Sequence, residues 1–285
     1  MTNREIIVQT LEWMEEHLHE DLTVTALSQR AGYSLYHFIR LFQGVIGYTP
    51  KEYILRRKLT EAAKELLDKG RKVSDVAFDY CFKDHETFTR AFKRFFGISP
   101  AELKSGAGIA TPFLEMPQGV AMRGASPKLL PEPEVVMIDG FSIIGLPGYA
   151  RLGESLDGIW SAFQADVHSI RQRKMPERFC QLAFWHESDE IDGFSVMPAV
   201  EVTHLKEIPF ALVGKTVPDG LYLRFIHRGP TRTIGETYNR IYESYLPQSA
   251  YKLTMPFNFE RYDRCGSGNA KDSEVDIFIP LEIFG

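Results

Sequence analysis

Cysteine is scarce. Cys81, Cys180 and Cys265 are odd in number and widely spaced in a chain of 285 residues, which fits a reducing compartment better than a disulfide framework. Cysteine and histidine never fall at zinc-ligand spacing, so no metal is expected. Long apolar runs are also missing: none approaches the ~20 residues of a membrane helix. The opening stretch, MTNREIIVQTLEWMEEHL, is amphipathic and acidic, unlike a signal peptide. The expectation is a cytoplasmic protein with no membrane partner. No Ser/His/Asp arrangement and no phosphate-binding glycine loop occurs, so no catalytic residue and no cofactor is assigned. A positive net charge is lacking too; the formal value is −5.

What is present is 44% hydrophobic and 12% aromatic residues, enough to bury real cores, over a length that implies two domains. The charge is unevenly spread. Residues 35–104 hold fourteen Lys and Arg against nine Asp and Glu, whereas residues 1–34 hold two against six. Everything after residue 104 is acidic, with seventeen against twenty-three. A compact basic stretch inside an acidic chain is an electrostatic footprint for phosphate.

That stretch contains one unit twice. Leu22–Tyr53 and Val73–Leu103 align at an offset of 49 before an internal turn (Val24/Val73, Leu27/Val76) and 50 after it (Phe38/Phe88, Arg40/Arg90, Gly47/Gly97, Pro50/Pro100). Each copy reads as short helix, turn, second helix, the layout of a helix-turn-helix DNA reader. Helical spacing of Ile7, Leu11, Met14 and Leu18 predicts a first helix over 3–19. Thr23 and Ser34 offer N-caps, and Gly47 a stop. A helix over 50–68, opened by Pro50, links the two readers.

Periodicity divides the second helix of each unit. Phe38, Leu41, Phe42 and Val45 take the buried stripe of the first, and Phe88, Phe92, Phe95 and Phe96 that of the second. Tyr36, Ile39, Arg40 and Gln43, then His85, Glu86, Thr89, Arg90 and Lys93, remain on the outer faces as DNA-contact candidates. Arginine suits guanine O6/N7 or phosphate, Glu86 can accept from cytosine N4, and Ile39 can touch a thymine methyl. Some of these side chains can equally contact phosphate alone or solvate the helix.

The runs AGYSLYHFIRLFQ and VSDVAFDYCFKDHETFTRAFKRFFGISPAELK resemble the DNA-binding domain of the AraC/XylS transcription regulators over residues 5–104. The resemblance implies reading positions at Tyr36, Ile39 and Arg40, and at His85, Glu86, Thr89 and Arg90. Two positions depart from it: Cys81 stands where glycine is common, and Ile39 where the residue is often polar.

Residues 105–133 are rich in Gly, Pro, Ala and Ser and read as a linker. Phe113, Leu114 and Met116 are apolar enough for part of it to pack on a domain. Beyond it, strands are predicted over 135–147 (broken at Asp139-Gly140), 179–187, 194–203, 208–217, 221–228, 257–263 and 274–280. Helices are predicted over 155–172 and 231–245. The strand and helix order repeats, implying two α+β halves with a cleft between them. The whole reads as an all-α double helix-turn-helix domain (1–104), a linker (105–133) and a duplicated α+β domain (134–285).

Strand alternation in FNFERYD puts Asn258, Glu260 and Tyr262 on one face and Phe257, Phe259 and Arg261 on the other. A carboxylate among aromatic rings suits a lipophilic cation. Glu260, with Trp185, Tyr149, Tyr222, Tyr262, Phe278 and Trp160, is the candidate effector site; any one of these rings can instead be ordinary core. The segments IWSAF, VPDGLYLRFIHRGP, ETYNRIYESYLPQSAY, FERYD and VDIFIPL resemble the GyrI-like effector-binding domain. That resemblance implies a hydrophobic, often cationic small-molecule effector with Glu260 as the acid of the pocket. The expected function is a DNA-binding transcription regulator, an activator touching RNA polymerase, bound to double-stranded DNA over two neighbouring major-groove segments. Two alternatives stay open: a C-terminal protein-interaction module, and a hydrolase using Glu260 as base with Tyr262 or Tyr222 as acid.

Overall fold

A computed structural model describes residues 1–67, 70–109, 111–117, 131–151, 154–184, 193–262 and 273–282. Its first part is helical. α1 (Asn3–Glu16) starts on a capping box: the Glu5 amide donates to Thr2 Oγ1, and the Thr2 amide to the Glu5 carboxylate. It is shorter than the expected 3–19, ending at His17. α2 (Val24–Ala31) is capped by Thr23, and α3 (Leu35–Ile46) by Ser34. α4 (Pro50–Leu67) runs for 18 residues, about 27 Å at 1.5 Å per residue. α5 (Val73–Asp79) and α6 (His85–Phe96, capped by Asp84) repeat the α2–α3 pair, and α7 (Pro100–Lys104) follows.

The duplication shows in the backbone. Gly32 turns α2 into α3 at φ 74, and Cys81 holds the equivalent place at φ 60. That is a left-handed conformation which glycine adopts without a Cβ penalty, so Cys81 sits there under strain. The expected apolar stripes are buried, with Phe38, Leu41, Phe42, Phe88, Phe92 and Phe96 all 0% exposed; Phe95 is half-buried. α4 is pinned through Arg57, whose Nη2 lies 2.6 Å from Glu15 of α1 and whose Nη1 donates to the Leu114 carbonyl at 2.6 Å. The start of the 105–133 segment therefore lies on the helical domain, with Phe113 edge-on to Phe96 at 5.9 Å.

The second part is built on one antiparallel sheet. Its strands are β1 (Glu134–Ile138), β2 (Phe141–Gly145), β3 (Gly148–Arg151), β4 (Phe179–Phe184), β5 (Gly193–Val202), β6 (Val213–Val217), β7 (Gly220–Arg228), β8 (Phe257–Tyr262) and β9 (Glu274–Pro280). Their order is β1-β7-β9-β8-β4-β5-β2-β6, with β3 on β5. From the β4–β8 seam outward the two halves read alike: β4, β5, β2 on one side and β8, β9, β7 on the other. The leading strand of each half crosses over, since β1 pairs β7 and β6 pairs β2. That exchange ties the halves together.

α8 (Asp157–Asp166) and α9 (Ile234–Arg240) occupy corresponding places in the two halves. α9 continues as a π-helical turn over Ile241–Tyr245. Two expectations need correcting. The strand expected over 208–217 begins only at Val213, with Phe210 fully exposed before it. β3, paired with β5, had no counterpart in the expected pattern.

The core of the first helix-turn-helix unit does not stop at the helical domain. Ile7, Leu11, Leu27, Phe38 and Phe42 form one apolar cluster with Leu223 and Phe225 of β7, Ile277 and Ile279 of β9, and Ile241, Tyr242, Leu246 and Leu253. Backbone bonds join the same surfaces: Asn3 N donates to Ser249 O at 2.8 Å, and Ser34 N to Leu253 O at 3.1 Å. The Asn3 side chain also donates from Nδ2 to Leu246 O at 2.8 Å. The helical part and the sheet part are thus packed firmly on one another.

Candidate nucleic-acid interface and effector cleft

The two reading helices are in different environments. On α6, His85, Glu86, Arg90 and Lys93 are exposed. Thr89 is half-buried, with its hydroxyl oxygen shielded and unpartnered. This face is open to solvent.

On α3 the expected outer face is covered. Tyr36 is 4% and Ile39 7% exposed, and Arg40 and Gln43 are half-buried. Helical periodicity put these residues on an outer face, but the second domain packs over them, and Tyr36 joins the shared apolar cluster. The Tyr36 ring meets Tyr242 edge-on at 5.9 Å, and the Arg40 guanidinium lies 4.9 Å above the Tyr242 ring. The Arg40 Nε is buried with no hydrogen-bond partner. His37 Nδ1 shares a hydrogen bond of 2.8 Å with the Tyr242 hydroxyl. Burial drives the His37 ring down to about 3, so it is neutral at pH 7. The backbones are equally close: a Cβ on Gly44 would stand 2.3 Å from the Tyr242 carbonyl oxygen.

Glu260 lies at the seam of the duplicated sheet, directly opposite Gln181. It is 3% exposed. Gln181 Nε2 donates to Oε2 at 3.0 Å, the Tyr238 hydroxyl donates to Oε1 at 2.9 Å, and the Tyr262 hydroxyl donates to Oε2. Trp160 of α8 donates from Nε1 to Gln181 Oε1 at 2.8 Å and stands edge-on to Tyr262 at 5.1 Å. No basic side chain pairs with Glu260 among the described residues. Burial raises its carboxyl to about 7, against the downward pull of the three donors. The geometry is a buried, well-hydrogen-bonded carboxylate ringed by aromatic groups from both halves, which can stabilise a cation that enters and loses its water.

Asn258 connects this group to the reading helix. Its Oδ1 accepts from Tyr238 at 3.2 Å, and its Nδ2 donates to the Tyr36 hydroxyl at 3.1 Å. Tyr36 therefore ends in the same hydrogen-bonded network as Glu260.

Of the expected effector-site residues, Glu260, Tyr262 and Trp160 come together. Tyr222 and Phe278 do not. They lie on the opposite sheet face, where Phe278 stacks on Phe259 at 4.5 Å and the Tyr222 hydroxyl donates to Pro218 O at 2.8 Å. The reason is the strand period. Phe259 adjoins Glu260 and so points away from it, and Phe278, opposite Phe259, shares its face. Tyr149 is exposed and rests on Gly193 at the β3–β5 pairing. Trp185 lies outside the described residues. Gln181, Tyr238 and Asn258 were not among the expected site residues. Gln181 had a signal, a lone amide inside FCQLAF, and so did Tyr238, which recurs with Tyr242 and Tyr245 at helical spacing.

Among the described residues no helix is long and apolar enough to cross a membrane, and no cluster of His, Cys, Asp and Glu is suited to hold a metal. A duplicated DNA-binding helical unit joined to a duplicated α+β domain with a buried polar cluster at its seam defines the one-component class of regulators, with both modules in one chain. Comparison with known proteins narrows this. Residues 27–106 match the family described as "Helix-turn-helix domain" and residues 134–281 the family described as "Integron-associated effector binding protein". The chain is 39% identical to the right origin-binding protein of Escherichia coli K12 over 306 aligned positions, covering 98% of this chain and 97% of that one. It is 38% identical over 96 residues to the HTH-type transcriptional activator AarP of Providencia stuartii (34% of this chain, 71% of AarP). It is 34% identical over 104 residues to the regulatory protein SoxS of Salmonella typhimurium (36% of this chain, 97% of SoxS). The chain belongs to the AraC-type helix-turn-helix regulators that carry a C-terminal effector-binding domain, and it is a DNA-binding transcription regulator.

Proposed function

We propose that this regulator activates transcription through contact with RNA polymerase, and that its C-terminal cleft senses a lipophilic cation anchored by Glu260. The observation that carries the sensing is the buried carboxylate with three hydrogen-bond donors and no basic partner among the described residues. A carboxylate so placed lacks only a cation to complete it. Activation is supported by the similarity to AarP, whose name is that of an activator. In this reading residues 1–104 bind DNA, residues 105–133 link, and residues 134–285 sense. Arg40 and Arg90 read guanine or phosphate, Tyr36, Ile39, Gln43, His85, Glu86, Thr89 and Lys93 complete the two groove faces, and Glu260 anchors charge without performing chemistry.

The test is thermal denaturation with tetraphenylphosphonium, its neutral relative triphenylphosphine oxide, and tetraphenylborate. Cation at about 100 times its Kd adds about 2.7 kcal/mol, a rise of several degrees. The cation alone is expected to produce this shift, and Glu260→Gln to remove it. Equal shifts from cation and neutral compound, or a full cation shift in Glu260→Gln, would refute charge anchoring.

A further inference from the structure

One side chain belongs to two sites. Tyr36 stands at an expected reading position of α3, yet its hydroxyl accepts from Asn258, a neighbour of Tyr238 and Glu260. An α-helix reads DNA by inserting into the major groove and presenting side chains to base edges. With Tyr36 and Ile39 enclosed by the second domain and Arg40 stacked on Tyr242, α3 cannot do so in this arrangement. We infer that α3 is an internal plug: docked, it covers the Asn258–Tyr238–Glu260 network and hides the first DNA reader, and an entering cation displaces it and frees the helix for the groove.

Three features characterise the plug. The contact is fitted at the backbone, because Gly44 lets α3 approach the π-helical turn more closely than any Cβ would permit. It is imperfect in its polar groups, because the Arg40 Nε is buried without a partner, a cost that undocking relieves. It is also selective. The first reader is covered and α6 is not, so the docked chain keeps one reading face for DNA and withholds the other. An aromatic side chain of α3, Tyr36, already reaches the hydrogen-bonded network around Glu260 through Asn258.

The inference rests on the cation-sensing reading for the identity of the displacing ligand, and on the docking geometry alone for the occlusion. The experiment separates them. Full-length wild type, Gly44→Ala and Tyr242→Ala are titrated by fluorescence anisotropy onto an operator duplex recovered from a random pool by the wild-type chain, with and without tetraphenylphosphonium. Gly44→Ala adds a methyl group that the docked helix cannot accommodate while raising the helix propensity of α3 itself. Tyr242→Ala weakens docking from the other side while leaving every residue of α3 unchanged, and thermal melts establish that each variant is folded.

Both variants are expected to bind the operator at least tenfold tighter than wild type without ligand, and to gain little more from tetraphenylphosphonium. Operator affinities equal to or weaker than wild type in both folded variants would overturn the plug. Tighter binding by the variants with no response of wild type to tetraphenylphosphonium would sustain the plug and refute the cation as its trigger.

Discussion

Glu260 is fully enclosed and hydrogen-bonded three times, but its charge has no basic counterpart among the described residues. Burial lifts its carboxyl from the ordinary 4.5 to about 7. Between those two pH values the folded chain keeps a proton that the unfolded chain has released. Stability conferred through this group is therefore greatest at or below pH 4.5, falls as pH rises to about 7, and is level above. The full difference is ~3 kcal/mol. A cation inverts the preference by binding the ionised form, so below pH 7 its entry must expel a proton. The Kd of tetraphenylphosphonium, followed by calorimetry from pH 5.5 to 8.5, should weaken about tenfold per pH unit below 7 and stay constant above. In Glu260→Gln that slope should disappear; a wild-type Kd independent of pH would contradict the charge-anchor role. The partners of this carboxylate were partly legible. Asn258, Glu260 and Tyr262 share a face because strand side chains alternate. Tyr222 and Phe278 were misplaced because alternation along their own strands does not reveal which sheet face meets the cleft; the cross-strand register does.

α3 and α6 have matching sequences, caps and stops, yet only α6 presents its reading face to solvent. Arg90→Ala should therefore cost ~1–3 kcal/mol of specific DNA affinity if Arg90 meets a base. If it meets a phosphate, the loss is similar across sequences and the salt dependence shallows by about one. Arg40→Ala removes a groove contact and a docking contact over Tyr242 together, so its net effect should be smaller than that of Arg90→Ala. Anisotropy titrations at two salt concentrations measure both, and an Arg90→Ala chain as tight as wild type at each would remove α6 from the interface. Helices and caps could be read locally because 3.6-residue periodicity and Ser34, Asp84, Gly47 and Gly97 are short-range signals. The covering of α3 could not. It depends on Asn258, 222 positions from Tyr36, and on Tyr242, 205 positions from His37. No local pattern distinguishes a helix face kept for DNA from one that first meets another domain.

The whole molecule is a choice between two occupants for one helix. The docked surface unites residues from α1, α3, β7, β9 and the α9 extension in a single apolar cluster, so undocking carries a free-energy cost, and whatever binds only the undocked form must meet it. DNA at the first reader and cation in the cleft would each do so, and the first to bind relieves the second of the cost. Linkage then requires that they strengthen each other by one common factor, with couplings of this kind typically about 5- to 150-fold. Two ratios test the idea: the operator Kd without and with saturating tetraphenylphosphonium, and the tetraphenylphosphonium Kd without and with saturating operator. Both should exceed one and agree. In Gly44→Ala, where the docked form is already disfavoured, both should fall toward one. Ratios of one in wild type would mean that the cleft and the groove act independently. Ratios below one would mean that the cation prefers the docked chain, with α3 serving as a wall of its site.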